Sequence, residues 1–144
     1  MVKPLISEIL TTANKMKGGR AKKIAYLQEQ DCTALRDIIR IAFDNSITLA
    51  LPEGAPPFKK FEIDEATKYR PQELRFEYPT FRYFIAAVTP TLNQFKREQI
   101  FIDLLEKIHS EDAQLFCDAK DKNINLKYIT KALLKEAFPG LIKS

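Results

Sequence analysis

Apolar positions recur at helical spacing along most of this chain, and the breaks between them fall at glycines and prolines. Leu5, Ile6, Ile9, Leu10 and Ala13 return every three or four residues, the stripe of an amphipathic helix, and Gly18-Gly19 ends it. A second helix is predicted from about Arg20 to Glu29, with Ala21, Ile24, Ala25 and Leu27 toward the core. Asp31 is placed to cap a third, whose apolar face is Leu35, Ile38, Ile39 and Ala42 and which ends near Phe43. After a long break, Phe81, Phe84, Ile85 and Val88 predict a helix with Pro79 in its first turn and Pro90 as its stop. Thr91 with Gln94 reads as a capping box for a helix that buries Leu92, Phe95, Phe101, Leu104, Leu105 and Ile108. Ser110 caps the next, with Glu111 and Asp112 favouring its positive end, and it runs to about Asp121. KNINLKY forms a turn, and Ile129, Leu133, Ala137 and Phe138 belong to a last helix that Pro139-Gly140 ends.

The break, Asp44 to Gln72, holds Pro52, Pro56, Pro57 and Pro71, which forbid a continuous helix and remove backbone donors. It reads as an extended, ordered loop pinned by Leu49, Leu51, Phe58 and Phe61. Connections of this length are unusual inside a domain and attract functional attention. The only strand candidates are short pieces near Ile47 to Leu51. No repeat, low-complexity run or domain boundary interrupts the pattern. The expected fold is all-α: residues 1–144 as one domain, an irregular bundle of about seven helices with a long Pro-rich connecting loop.

Composition narrows the function more than the fold. At 144 residues, 45% hydrophobic and 29% charged, the chain is globular in character. Cys32 and Cys117 form no CxxC pair and read as reduced, buried thiols of a cytosolic protein. The short apolar run of MVKPLISEIL is broken by Ser7 and Glu8, so neither a signal peptide nor a membrane span is expected. His109 is the only histidine, too little for a zinc site or a catalytic triad, and it suits a helix C-terminus. No phosphate-binding glycine loop or nucleophile elbow occurs. A non-enzyme without metal or cofactor is expected.

Charge is where a function shows. The net charge is +4, and its distribution is uneven. KMKGGRAKK carries Lys15, Lys17, Arg20, Lys22 and Lys23 without an acid, around two glycines between helices. Backbone amides at a helix N-terminus beside flexible cations are a phosphate-binding combination. A second cluster holds Lys120, Lys122, Lys127, Lys131 and Lys135 against Asp121 alone. Solvated lysines kept for solubility are the ordinary alternative. The aromatics fall mostly at core spacing, so no stacking platform is expected on a basic face.

The segments AKKIAYLQEQDCTALRDIIRIAFD, LPEGAPPFK and KREQIFIDLLEKIHSEDAQLFCDAKDKNINLKYITKALLKEAFPGLI cover most of the chain. They resemble an uncharacterised family of small proteins from T-even-like phages of cyanobacteria and other marine bacteria. That resemblance implies a phage origin and a role in the host cytoplasm during infection. More distantly, the layout is similar to the N-terminal helical DNA-binding domain of T-even phage ATP-dependent DNA ligases. There a first helix like LISEILTTA leads through a basic turn to a second helix, then an acidic cap and a third helix of the type ALRDIIRIAFD, and the domain ends in an aromatic-Pro-Gly-Leu-Ile motif, here Phe138 to Ile142. Such domains grip the DNA backbone around a nick and can touch the sliding clamp. The LPEGAPPFKK loop departs from that pattern, and the KxDG lysine of the ligase catalytic domain is absent. The resemblance therefore implies the gripping module without the catalyst.

The first functional expectation is a non-enzymatic module that binds double-stranded or nicked DNA through Lys17, Gly18, Gly19, Arg20, Lys22, Lys23, Lys120, Lys122, Lys127 and Lys131. The alternative is an adaptor for a host or phage protein, with Pro56, Pro57, Phe58 and Phe61 of the loop as its contact. Neither involves a membrane or a metal.

Overall fold

The structure, a computed structural model, describes residues 3–62 and 71–144. Among them the apolar stripes become seven α-helices and one 3-10 helix: α1 Ile6–Lys15, α2 Arg20–Glu29, α3 Thr33–Phe43, α4 Leu74–Glu77, the 3-10 helix Tyr78–Phe84, α5 Gln94–Lys107, α6 Ser110–Lys120 and α7 Lys131–Ala137. The fold is all-α. The segment near Ile47 to Leu51 forms no strand, and an isolated bridge pairs Gln72 with Ile108. No helix of the described residues is long and apolar enough to cross a membrane.

Apolar and small residues spread over more than half of the circumference of α6, leaving Glu111, Gln114 and Asp118 as its polar side, and α6 is the central helix. Ala113, Leu115, Phe116, Cys117 and Ala119 are all buried along it. Its neighbours are α3, α5 and α1, while α2 packs between α1 and α7. Phe116 meets Phe81 at 4.9 Å, Phe101 at 5.7 Å and Phe84 at 5.8 Å between ring centroids. Tilted and edge-on aromatic pairs of this kind contribute about 0.5–1.5 kcal/mol each beyond their burial. Asp112 ties α6 to α1, its Oδ1 accepting the Ser7 amide at 2.9 Å in the first turn of that helix.

Several local expectations give way to tertiary context. The α2 helix buries Leu27 and half-buries Ile24, but Ala21 and Ala25 face solvent. The helix expected after Pro79 starts earlier, at Leu74, and tightens into a 3-10 helix at Tyr78. Pro79 supplies no N–H, so an α ladder cannot continue through it. The element stops at Phe84, leaving Val88 56% exposed. Asn93 caps α5 in place of Thr91, its side chain accepting from the amides of Phe95 (2.8 Å) and Lys96 (3.4 Å). This phase turns Phe95 outward, 80% exposed, and turns Arg97 inward. The Arg97 guanidinium donates to the carbonyls of Tyr83 (2.9 Å) and Thr89 (2.9 Å), holding the 83–94 turn. Cys32 is the N-cap of α3, and Asp31 pairs with Arg36 instead of capping. His109 follows Ile108, the C-cap of α5, and is also the N-cap residue of α6, where its side chain makes no cap bond; Ser110, expected as that cap, is the first helical residue.

Candidate nucleic-acid interface

The turn from α1 to α2 needs glycine. Gly18 and Gly19 have φ of +102° and +99°, which side chains rarely adopt. The turn delivers the chain into α2 with Gly19 as N-cap, no side-chain cap bond and no acid in the first turn. The first amides of α2 therefore receive no side-chain cap. Lys15, Lys17, Arg20 and Lys22 surround this end, all exposed. The Lys22 stem lies along Gly18, where an added Cβ would stand 2.6 Å from its Cδ. Arg20 is partly neutralised by Glu136 of α7 at 3.2 Å.

Lys23 is not part of that free charge. It is buried, and its ammonium donates to the carbonyls of Ala13 (2.8 Å), Asn14 (3.0 Å) and Met16 (2.8 Å). An ammonium has three donors, and all are spent on the C-terminal end of α1. The carbonyls there lack intrahelical partners and carry the negative end of the helix dipole, so a cation is favoured.

The second cluster divides. Lys122 donates to the carbonyls of Ile41 (2.7 Å) and Asp44 (2.9 Å) at the end of α3, and burial lowers its pKa. Lys120 is buried, bonded to the Pro52 carbonyl (2.8 Å) and to the Asp121 carboxylate. Lys131 donates to the Ser144 hydroxyl at 3.0 Å. Lys23, Lys120 and Lys122 thus leave the expected set of phosphate ligands because helix ends and a loop carbonyl already hold their protons.

Lys127 joins the first cluster. The Tyr128 amide donates to the Asn14 side chain at 2.8 Å, which fixes the α6–α7 turn against the end of α1. The Tyr128 ring has Lys23 Nζ at 5.2 Å and Lys127 Nζ at 5.4 Å from its centroid. With Asn14, Lys15, Met16, Lys17 and Lys23 it lines an open groove of about 400 Å³ with no acid in its wall. Tyr128 is 53% exposed, so an aromatic does stand on the basic face, contrary to the expectation from core spacing. Its position beside Lys127, in a turn and outside any apolar stripe, was the available signal.

The Pro-rich loop is strapped down. The Ala50 amide donates to the Phe84 carbonyl (2.7 Å), the Gly54 amide to Asp121 (3.0 Å) and the Lys59 amide to Glu106 (2.9 Å). Leu49 is buried, and Leu51 and Phe58 pack partly buried against the core. Pro56 and Phe61 are half-buried and Pro57 is exposed. Residues 63–70 of the expected connection lie outside the described residues.

Among the described residues no three His, Cys, Asp or Glu side chains cluster as metal ligands. Cys117 is buried in α6, and that burial pushes its thiol up to about 11, far from a reactive thiolate. Cys32 is half-buried and unbridged.

A family model described as a family of unknown function (DUF6433) matches residues 9–126. No curated protein and no solved structure matches the chain.

Proposed function

The chain belongs to the family of unknown function DUF6433, and for this member we propose a non-enzymatic module that grips the sugar–phosphate backbone of DNA, duplex or nicked. The observation that carries this reading is the acid-free groove, whose wall and rim gather Lys15, Lys17 and Lys127 from two turns far apart in sequence. Lys22 and the first turn of α2, which has no side-chain cap, follow Lys17 closely in sequence. Exposed cations around uncovered helix amides suit phosphate, and they position a backbone without reading its sequence. The resemblance to the DNA-binding domain of phage ligases supports the same reading, and the phage resemblance supports the host cytoplasm as its setting.

Fluorescence anisotropy with labelled intact and nicked duplex, across a salt series, tests it. Log K is expected to fall with log salt by about 0.9 for each phosphate neutralised. The double variant Lys17→Glu/Lys22→Glu reduces that slope by about 2, and Lys127→Glu by about 1. Lys59→Glu, on the loop beside α5, leaves it unchanged. No binding at low salt, or a slope indifferent to these changes, rejects the reading. The adaptor reading through Pro56, Pro57, Phe58 and Phe61 has less support, because the described part of the loop is bonded at Ala50, Gly54 and Lys59 and Phe58 packs on the core.

A further inference from the structure

We propose that Tyr128 is a stacking platform for an unpaired nucleobase, so that the groove takes single-stranded or gapped DNA in preference to continuous duplex. The inference rests on the backbone-gripping reading and adds to it the state of the strand. Phe76 and Phe95 are also exposed, at 67% and 80%. Among the described residues, only Tyr128 of these three has cations against its ring, with Lys23 at 5.2 Å and Lys127 at 5.4 Å.

The two lysines differ in kind. Lys23 is buried and fixed by three carbonyls, so its contact with the ring is anchored to the end of α1. The bond from the Tyr128 amide to Asn14 fixes the backbone beneath it. A ring held this way loses little freedom when something stacks on it. Lys127 is exposed and makes no hydrogen bond or salt bridge among the described residues. Its contact with the ring is of the weak, solvated cation–π type, and base–aromatic stacking is the stronger interaction. An arriving base therefore displaces Lys127, whose ammonium then reaches the phosphate of the same strand. Lys15 and Lys17, across the groove, meet neighbouring phosphates. A groove of about 400 Å³ is within the range of sites that hold one small ligand. In continuous duplex both faces of each base are covered by its neighbours, and the ring has nothing to stack on.

The test compares one labelled DNA sequence as single strand, continuous duplex and gapped duplex, at one low salt concentration, by anisotropy. The wild type is expected to favour single strand and gapped duplex. Tyr128→Leu, which keeps bulk over Lys23 but removes the aromatic face, weakens those two by about tenfold and leaves continuous duplex within about twofold. Tyr128→Phe retains the wild-type pattern. Thermal melts of both variants establish that they are folded, and Tyr128→Phe against wild type serves as the reference if Tyr128→Leu melts early: loss of the strand preference in folded Tyr128→Phe counts against stacking. Equal affinity for all three DNAs, or indifference to Tyr128→Leu, overturns the stacking role while backbone gripping stands. Failure of the wild type to bind any of the three overturns both.

Discussion

A lysine on this chain is solvent-exposed or a structural cap according to which carbonyls lie within its reach. Lys22 and Lys23 are adjacent, yet Lys22 is exposed along Gly18 and Lys23 closes the end of α1 with three hydrogen bonds. Removing Lys23 leaves three carbonyls to find water in a buried setting. Lys23→Met is expected to cost about 2 kcal/mol, in line with losing charged hydrogen bonds at a buried site, and to lower Tm by roughly 6 °C for a domain of this size. Lys22→Met stays within about 0.5 kcal/mol, as exposed substitutions do. Thermal unfolding followed by circular dichroism checks both, and equal effects would mean that Lys23 does not cap the helix.

At the scale of elements, two connections carry the character of the molecule. The α1–α2 turn is short, glycine-built and open. The long loop after α3 has no regular structure of its own through residue 62 and borrows order from α5 and α6. Lys120 is central to that borrowing, since its ammonium joins the Pro52 carbonyl to Asp121, and Asp121 in turn accepts the Gly54 amide. Lys120→Met should free this stretch: hydrogen exchange at the Gly54 amide quickens by about tenfold, the equivalent of losing one charge-assisted hydrogen bond. Exchange within α3 stays as it was. Unchanged exchange at Gly54 would show that the apolar anchors Leu49, Leu51 and Phe58 hold the loop without the lysine.

For the whole molecule, two buried carboxylates oppose each other in how stability depends on pH. Asp112 has its pKa raised, first by burial, which outweighs the hydrogen bond from the Ser7 amide and the charge of His109. Its Oδ2 and the Ser7 hydroxyl have no hydrogen-bond partner among the described residues. A raised carboxyl pKa means the folded state holds its proton longer, so stability falls as pH rises from the unfolded value near 4 through the folded one. Asp44 is the reverse. The Ser46 hydroxyl, followed by the Lys143 amide, holds it well below the usual carboxylate range. Its contribution is present above about pH 4 and is lost as pH falls through its folded pKa. Asp112→Asn keeps an acceptor for the Ser7 amide and supplies a donor for the Ser7 hydroxyl. It should raise Tm at pH 7, with the gain shrinking to nothing below about pH 4. Melting curves from pH 3 to 8 decide this, and a gain independent of pH would rule out the buried charge as its source.

Helix order, the all-α class and the glycine turn were legible in the sequence, because 3.6-residue periodicity and backbone sterics act over a few neighbouring residues. The basic character of the α1–α2 turn was legible for the same reason. Which cations are free was not. Lys122 finds its acceptors 78 and 81 residues away, and Tyr128 meets Asn14 across 114 residues. Long side chains bond whatever the packing brings within a few ångströms, and periodicity carries no record of that. The tertiary structure alone decided that Lys23, Lys120 and Lys122 serve the fold. It alone brought Lys127 and Tyr128 to the basic turn, because the contact of α1 with α6 and of α2 with α7 sets one turn beside the other.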